Sequence, residues 1–551
     1  MKFPLDRRQF LSGAALFATG CVSGARGLLR GEDCDLVLRG GSVVDGSGAA
    51  AFVADVAVRG DRIVAIGDCS GVRARRVLDV SGSCVTPGFV DIHTHSDRSI
   101  LRYPGAESRV RQGVTTEITG NCGSSAAPVD AKPMDGDQGT PPPWTDLNSY
   151  AEAWAAARPA LNQALLVGHG TLRSTVLGDV DRRATAEELD AMAVRLRKAL
   201  RQGAVGMSTG LEYVPGIYAP AEEIEFLARV VAEAGGLYAS HMRSEEAELL
   251  AAVDEAIAVG RRSGVRVQIS HLKACGKPNW PLLEEAIARI ERARAEGIDV
   301  LADTYPYTAY STTLTILLEP WSREGGSEAI VARLRDPVAR ARMAREVVPH
   351  VASDPGDFGL VVIASVAAAE HENCVGRSIA EIAAAWHVEP AEAYLRLLEA
   401  SGADVGFIGH GIASEGVERV LAHPLVMVGS DGRSMAAVGR QIDRPHPRSY
   451  GTFARVLGKY CRDSGLFDLP TAVEKMTSMP AARVHLIDRG VVRIGAFADL
   501  VVFDAATIAD RATYDEPQLH PVGIAHVFVN GEAVVEDGRG TAARPGRLLR
   551  A

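Results

Sequence analysis

Between residues 85 and 431 the chain repeats one unit. A short apolar run of strand length closes on a polar residue, and an alanine-rich amphipathic stretch follows several of these runs. The runs end near His95, Cys122, His169, Thr209, His241, His271, Tyr305 and Asp431, with helical patterns over 186–201, 221–234, 245–263 and 281–296. Apolar strands alternating with helices point to a parallel sheet, because a parallel connection needs a crossover that covers the sheet face. About eight such units predict an α/β fold, a closed (β/α)8 TIM-type barrel. A doubly wound open sheet is the alternative, but no Gly-x-Gly-x-x-Gly word follows any run. In a barrel the strand-closing residues share one rim, and that rim is where such folds place their sites.

The two chain ends have a different texture. Leu36-Val-Leu-Arg39, Ser42-Val-Val-Asp45, Asp55-Val-Ala-Val58 and Arg62-Ile-Val-Ala-Ile66 are short β-like runs between glycines. The texture returns at Leu500-Val-Val-Phe-Asp504 and from His526 to Val535. A small β-sandwich domain built from 34–86 plus 488–545 is expected, with the barrel at 87–487. Two insertions interrupt the barrel: a Pro/Gly-rich loop at 131–144, and a stretch at about 313–423. The second carries helical patterns over Ile379–Trp386 and Pro390–Ala400, and its length suits a lid or extra packing.

Residues 1–31 read as an export leader. Asp6-Arg7-Arg8-Gln9-Phe10-Leu11 is a twin-arginine pattern, and the apolar stretch 12–20 is too short to span a bilayer. Ala18-Thr19-Gly20-Cys21 resembles a lipoprotein cleavage box. The expectation is a periplasmic protein whose one membrane link is a lipid anchor at Cys21. A net charge of -10 without a long basic run gives no nucleic-acid footprint. The eight cysteines form no Cys-x-x-Cys pair, so neither a zinc ribbon nor a disulfide framework is indicated.

The chemistry lies in what closes the strands. His93-Thr94-His95 follows the run Val85-Thr-Pro-Gly-Phe-Val-Asp-Ile92, and residues two apart on a strand share a face. Tyr238-Ala-Ser-His241 and Gln268-Ile-Ser-His271 both end in Ser-His. One run ends in Asp431 and another, Thr116-Glu-Ile-Thr-Gly-Asn-Cys122, in a thiol. A lone His-x-His is commonly a pair of hydrogen-bonded surface histidines, and a lone cysteine a buried inert thiol. Four histidines, one carboxylate and one thiol on one rim are instead a metal-ligand set. Zinc takes all three donor types. Six donors exceed one tetrahedral ion, so they suit two ions with a shared ligand, or one tight ion beside a weaker site.

These words resemble the amidohydrolase superfamily, and within it the D-aminoacylase (N-acyl-D-amino-acid deacylase) group. The resemblance runs through Pro87-Gly-Phe-Val-Asp-Ile-His-Thr-His-Ser-Asp97, Gly120-Asn-Cys-Gly123, Gly168-His-Gly-Thr-Leu-Arg173, Ser208-Thr-Gly-Leu-Glu-Tyr213, Tyr305-Pro-Tyr-Thr-Ala309 and Arg444-Pro-His-Pro-Arg448. It implies a tight Zn2+ at Cys122, His241 and His271. A second ion would sit at His93, His95 and Asp431, with Cys122 shared. Hydantoinase-like relatives bridge their metals with a lysine on the fourth strand, and Ala204-Val-Gly-Met-Ser-Thr-Gly210 has none. The implied reaction is zinc-dependent hydrolysis of N-acyl-D-amino acids to a carboxylate and a D-amino acid. Asp431 is the expected catalytic base.

A free α-carboxylate on the substrate needs cations. Lys273 lies two residues past His271, in a chain where lysine is scarce, and Arg448 offers a bidentate fork. The resemblance adds Tyr213, Tyr305 and Ser311 as substrate contacts. Asp97 and Asp303 are expected to partner histidines, while His169 and Arg173 read as outer or structural residues. The extra residues 433–443 depart from the pattern, which leaves side-chain preference open. Alternatives are a dipeptidase for dipeptides with a C-terminal D-residue, a cyclic-amide hydrolase, or a non-catalytic binding relative.

Overall fold

The computed structural model describes residues 33–130, 142–435 and 443–550. The leader with Cys21, and most of the loops at 131–144 and 433–443, lie outside the described residues. Eight parallel strands form the expected barrel: β1 (Phe89–Asp91), β2 (Val114–Thr119), β3 (Asn162–Gly168), β4 (Gly206–Gly210), β5 (Leu237–His241), β6 (Arg266–Ile269), β7 (Val300–Thr304) and β8 (Val426–Val428). Neighbours in space are neighbours in sequence throughout. Every residue of β2, β3, β4, β5 and β7 is buried, because side chains on one face fill the barrel and those on the other meet helices.

The ring closes just beyond β1 and β8. Thr94 and Gly432 form a parallel bridge there. The Asp431 amide donates to the His93 carbonyl and the His95 amide to the Gly432 carbonyl, both at 2.8 Å. The seam of the barrel therefore runs through residues predicted to carry the chemistry.

Helices α1 (His169–Leu177), α2 (Ala186–Arg201), α3 (Ala221–Glu233), α4 (Leu249–Ser263) and α5 (Leu282–Ala295) follow β3 to β6. A capping box starts α2: the Thr185 hydroxyl accepts from the Glu188 amide, and the Glu188 carboxylate accepts from the Thr185 amide. Helix α4 begins at Leu249, four residues later than its sequence pattern. Glu245 is held at the rim instead: its carbonyl accepts from the Cys275 amide and its carboxylate meets Lys273.

The long insertion builds a module of its own. Tyr310–Thr313, Val405–Gly409 and Val361–Val366 make a three-stranded antiparallel sheet, in that order. Helices Pro337–Ser353, Ile379–Trp386 and Pro390–Ala400 pack with it. Gly276 donates to the Gly411 carbonyl at 2.9 Å, and the Tyr310 hydroxyl to Asp354 at 2.5 Å. The module's first strand meets the barrel rim through Thr312, 3.0 Å from the Tyr213 hydroxyl, and the Ser311 carbonyl, which accepts from Arg448.

Both chain ends enter one nine-stranded sheet, where Leu500–Phe503 pairs antiparallel with Cys84–Pro87. Along strand Asp33–Val43, Leu36 and Leu38 enter one small core and Val37, between them, the other. Buried polar residues fasten this sheet to the barrel. Asp499 pairs with Arg489 and accepts from the Asn530 amide at 2.7 Å, while the Asn530 side chain donates to Asn162 of β3 at 2.8 Å. No helix among the described residues is long and apolar enough to cross a membrane.

Removing one partner of a buried ion pair costs about 3–5 kcal/mol, because the other charge is left uncompensated. Asp499→Ala should therefore lower the thermal unfolding midpoint clearly. Asp499→Asn, which still accepts from Asn530, should lose less. Equal midpoints for wild type and Asp499→Ala in a melting experiment would contradict this role.

Candidate metal centre

Three of the strand-closing residues leave their strands in the left-handed backbone region: Cys122 at φ 51°, His271 at φ 36° and Asp431 at φ 54°. A side-chain-bearing residue there costs on the order of 1–3 kcal/mol and persists only where its surroundings fix it. The turn Gly120-Asn-Cys-Gly123 shows how. Asn121 donates its side-chain amide to the Ile118 carbonyl at 3.0 Å, with longer bonds to Ile92 and Thr94 on β1 and its continuation. Ser208 of β4 accepts from the Gly123 amide at 3.0 Å and donates to the Gly120 carbonyl. A Cβ at Gly123 would stand 2.6 Å from the Gly210 amide nitrogen, so this position requires glycine.

The six predicted donors come together. His93, His95, Cys122 and Asp431 form one group, and Cys122, His241 and His271 another, with all donor atoms in each group within 4.8 Å. Cys122 Sγ lies 3.2 Å from His93 Nε2 and 3.5 Å from His271 Nε2. His241 Nδ1 is 2.9 Å from His271 Nε2, and Asp431 Oδ1 is 2.9 Å from His95 Nε2 and 3.6 Å from His93 Nε2. Tetrahedral zinc with bonds of about 2.0–2.3 Å sets its ligands roughly 3.3–3.7 Å apart. The cluster is close to that spacing, and the shared thiol sits between the two groups.

Each of three histidines uses its second ring nitrogen for a carboxylate. His93 Nδ1 meets Asp303 at 3.1 Å, His241 Nε2 meets Glu212 at 2.9 Å, and His271 Nδ1 meets Glu245 at 2.8 Å. Such pairings fix ring orientation and raise ligand basicity. Asp303 also accepts from the His271 amide at 2.8 Å and the Gln268 side-chain amide at 2.9 Å, so it serves three donors. The sequence reading named Asp303 but missed Glu212 and Glu245. Glu212 stood in a word already singled out, one residue before Tyr213. Glu245 was hidden inside an apparent helix. Asp97 makes no hydrogen bond to the cluster histidines; burial pushes its carboxyl up to about 6, against the pull of His95.

The local field favours positive charge. Burial pushes the Cys122 thiol up, but the His93 charge and hydrogen bonds from His241 and His271 outweigh it and hold the thiol well below its usual range. Burial works against charged imidazoles too. Even so, hydrogen bonds to Asp431 and Cys122 raise His95 to about 9, and bonds to Cys122 and Glu212 raise His241 to about 10. Protons on His93, His95 and His241 thus answer the thiolate and carboxylates. A divalent cation can replace them, which is the behaviour of a metal site.

The residues predicted for substrate surround this cluster. Lys273 is buried, with Nζ 2.6 Å from Glu245 and 2.9 Å from His271 Nδ1. Arg448 reaches Asp431 Oδ2 at 2.7 Å and the Ser311 carbonyl at 2.9 Å. Between these cations stands Tyr305, its ring centre 5.7 Å from Lys273 Nζ and 5.1 Å from the Arg448 guanidinium. The Tyr305 hydroxyl is buried without a hydrogen-bond partner. The Tyr213 hydroxyl meets Thr312 at 3.0 Å, and its ring packs 4.7 Å from that of His241. Two clefts open here. One of about 240 Å³ is lined by His241, His271, Lys273 and Tyr305, and one of about 690 Å³ by His95, Cys122, Asp431 and Arg448. Tyr213 and Ser311 border both. His169 and Arg173 stand apart from the cluster, sharing Glu223 at 2.8 and 3.4 Å.

Comparison with known proteins agrees with this picture. The model of the family described as "Amidohydrolase family" matches residues 76–535. An N-acyl-D-glutamate deacylase of Alcaligenes xylosoxydans xylosoxydans is 41% identical over 526 residues, spanning 94% of this chain and 97% of the relative. A D-aminoacylase of the same organism is 40% identical, spanning 94% and 97%. The crystal structure of N-acyl-D-glutamate deacylase from Bordetella bronchiseptica, complexed with zinc and a phosphonate mimic of the tetrahedral intermediate, is 40% identical with a TM-score of 0.80. That match covers 94% of this chain and 100% of the other. The strand-end donor cluster and the extended likeness agree: this chain belongs to the amidohydrolase family.

Proposed function

We propose that the protein hydrolyses the amide bond of N-acyl-D-amino acids, with zinc held by Cys122, His241 and His271 and a second ion held by His93, His95, Asp431 and the shared Cys122. One observation carries the reading. The donor cluster lies directly beside Lys273, Arg448 and the partnerless Tyr305 hydroxyl, a setting made for a carboxylate next to a scissile amide. The D-configuration rests on the relatives, which are an N-acyl-D-glutamate deacylase and a D-aminoacylase. Export by the twin-arginine route, with or without a lipid at Cys21, completes the proposal and is supported by the leader sequence.

When bound, zinc supplies a Lewis acid that polarises the amide carbonyl and lowers the pKa of water to about 7. The chain's own residues do the rest. Arg448 and Lys273 take the substrate carboxylate, with the Tyr305 hydroxyl as a third donor, and so fix the amide over the cluster. Arg448 pairs with Asp431 in the ligand-free chain, so a substrate carboxylate would share that guanidinium. Asp431 takes a proton from the attacking water and returns it to the departing nitrogen. One water is added across one C–N bond, giving a carboxylate and a D-amino acid. Both clefts exceed the size of an acetyl group, which favours a second reading in which the acyl group is an aminoacyl residue and the substrate a dipeptide with a C-terminal D-residue.

Turnover on N-acetyl-D-, N-acetyl-L- and L-Xaa-D-Xaa panels, with zinc content measured on the same sample, tests the function. Hydrolysis of the D-series is expected, and activity confined to the L-series would overturn it. Asp431→Asn should lower kcat by about 10²–10⁴-fold, the usual worth of a general base; near-normal turnover would remove that role. Tyr305→Phe deletes a hydroxyl that bonds to nothing in the ligand-free chain. It should leave the melting temperature unchanged yet raise KM about tenfold or more, since a hydrogen bond to a charged group is worth about 1.5–3 kcal/mol. An unchanged KM would exclude Tyr305 from carboxylate binding.

A further inference from the structure

Beneath Asp431 lies an ionic cluster that the reaction does not use. Arg109 is fully buried. Its Nε donates to Glu117 at 2.7 Å. One terminal nitrogen reaches Asp91 and, at 2.9 Å, the Ser430 hydroxyl, and the other reaches the Ser449 carbonyl at 3.2 Å. Asp91 accepts from the Ser430 amide at 2.9 Å and the His93 amide at 3.3 Å. The Ser430 hydroxyl accepts from the Gly432 amide at 3.0 Å. The cluster thus grips the backbone of His93, the residues on both sides of Asp431, and the residue after Arg448.

Its composition is costly. One guanidinium faces two carboxylates, Asp91 and Glu117, and none of the three side chains has solvent exposure. Burial pushes the Glu117 carboxyl up to about 7, and the neighbouring Asp91 adds to the rise. Well-packed apolar residues often serve stability as well as such a set. What the guanidinium adds is direction, with donors in a rigid fork that reach β1, β2 and the end of β8 together. That is what Asp431 needs, because its positive φ persists only where neighbours over-determine it.

We propose that Arg109 is a positioning residue: through Asp91 and Ser430 it aims His93 and Asp431, and so sets how tightly the His93–His95–Asp431 half of the cluster holds its cation. This rests on the reading of those residues as one metal half-site. The hydrogen bonds of Arg109 go to Asp91, Glu117, Ser430 and Ser449, and none to His241, His271 or Cys122.

The test is a zinc titration against a competing chromophoric chelator, run with melting temperature and steady-state kinetics. Ser430→Ala keeps every ion pair and removes only the hydroxyl that joins Arg109, Asp91 and the Gly432 amide. Arg109→Lys removes the fork. In both, the first zinc equivalent should bind as in wild type. The second should bind about 10–100-fold more weakly, as for loss of a residue that orients a ligand. In Ser430→Ala, kcat should fall about tenfold while KM and melting temperature hold. Two equivalents bound by Ser430→Ala at wild-type affinity would overturn the positioning role, as would equal weakening of both. If wild type itself holds only one equivalent, the underlying two-site reading fails first and takes the proposal with it.

Discussion

The barrel is closed by the segments that carry its chemistry. The bond between β1 and β8 is not made along two long strands. It is a single bridge at Thr94 and Gly432, flanked by Asp431 to His93 and His95 to Gly432. Whatever shifts this seam shifts His93, His95 and Asp431 together. The strained Asp431 backbone, the Asn121 side chain tying Ile92 and Thr94 to β2, and the ion cluster below them all act on this one joint.

The other half of the cluster is built differently. Cys122, His241 and His271 stand on the continuous part of the sheet, where the turn at Asn121 and Ser208 holds the thiol and acidic residues hold the two imidazoles, as Asp303 holds His93. Glu212 and Glu245 each orient an imidazole, and Glu245 also fixes Lys273. The consequence is a buried pocket walled by carboxylates and a thiol, in which His241 is raised to about 10 against the pull of burial and a cation is well accommodated. Lys273 and Arg448 stand at the edge of that pocket as two buried cations beside the donor cluster. The insertion contributes too, since its first strand brings Ser311 and Thr312 to the mouth of both clefts.

Much of this was legible in the sequence because the signal was periodic or positional. Strand ends are where a barrel presents its side chains, so His241, His271, Cys122 and Asp431 could be grouped before any contact was known. The helices over 186–201, 379–386 and 390–400 follow from their 3.6-residue pattern and were found with those bounds. Glu245 was not legible. Its pattern is helical, and only the tertiary pull of His271 and Lys273 withdraws it from α4. Glu212 lacked a signal of its own, since a carboxylate two residues past a strand end is commonly solvated. The positive φ of Cys122, His271 and Asp431 was equally hidden, because none is glycine. Arg109 carried no signal of its own: it sits in the short helical turn Glu107–Val110, and its partners lie 8 to 340 residues away.

In the proposed site the first metal is held by one thiolate and two imidazoles, with Cys122 as the ligand common to both halves. Zinc K-edge absorption on the protein loaded with one equivalent measures this directly. The account predicts one sulfur near 2.3 Å and nitrogen ligands near 2.0 Å, with the sulfur retained when a second equivalent is added. A first shell of nitrogen and oxygen alone would contradict it.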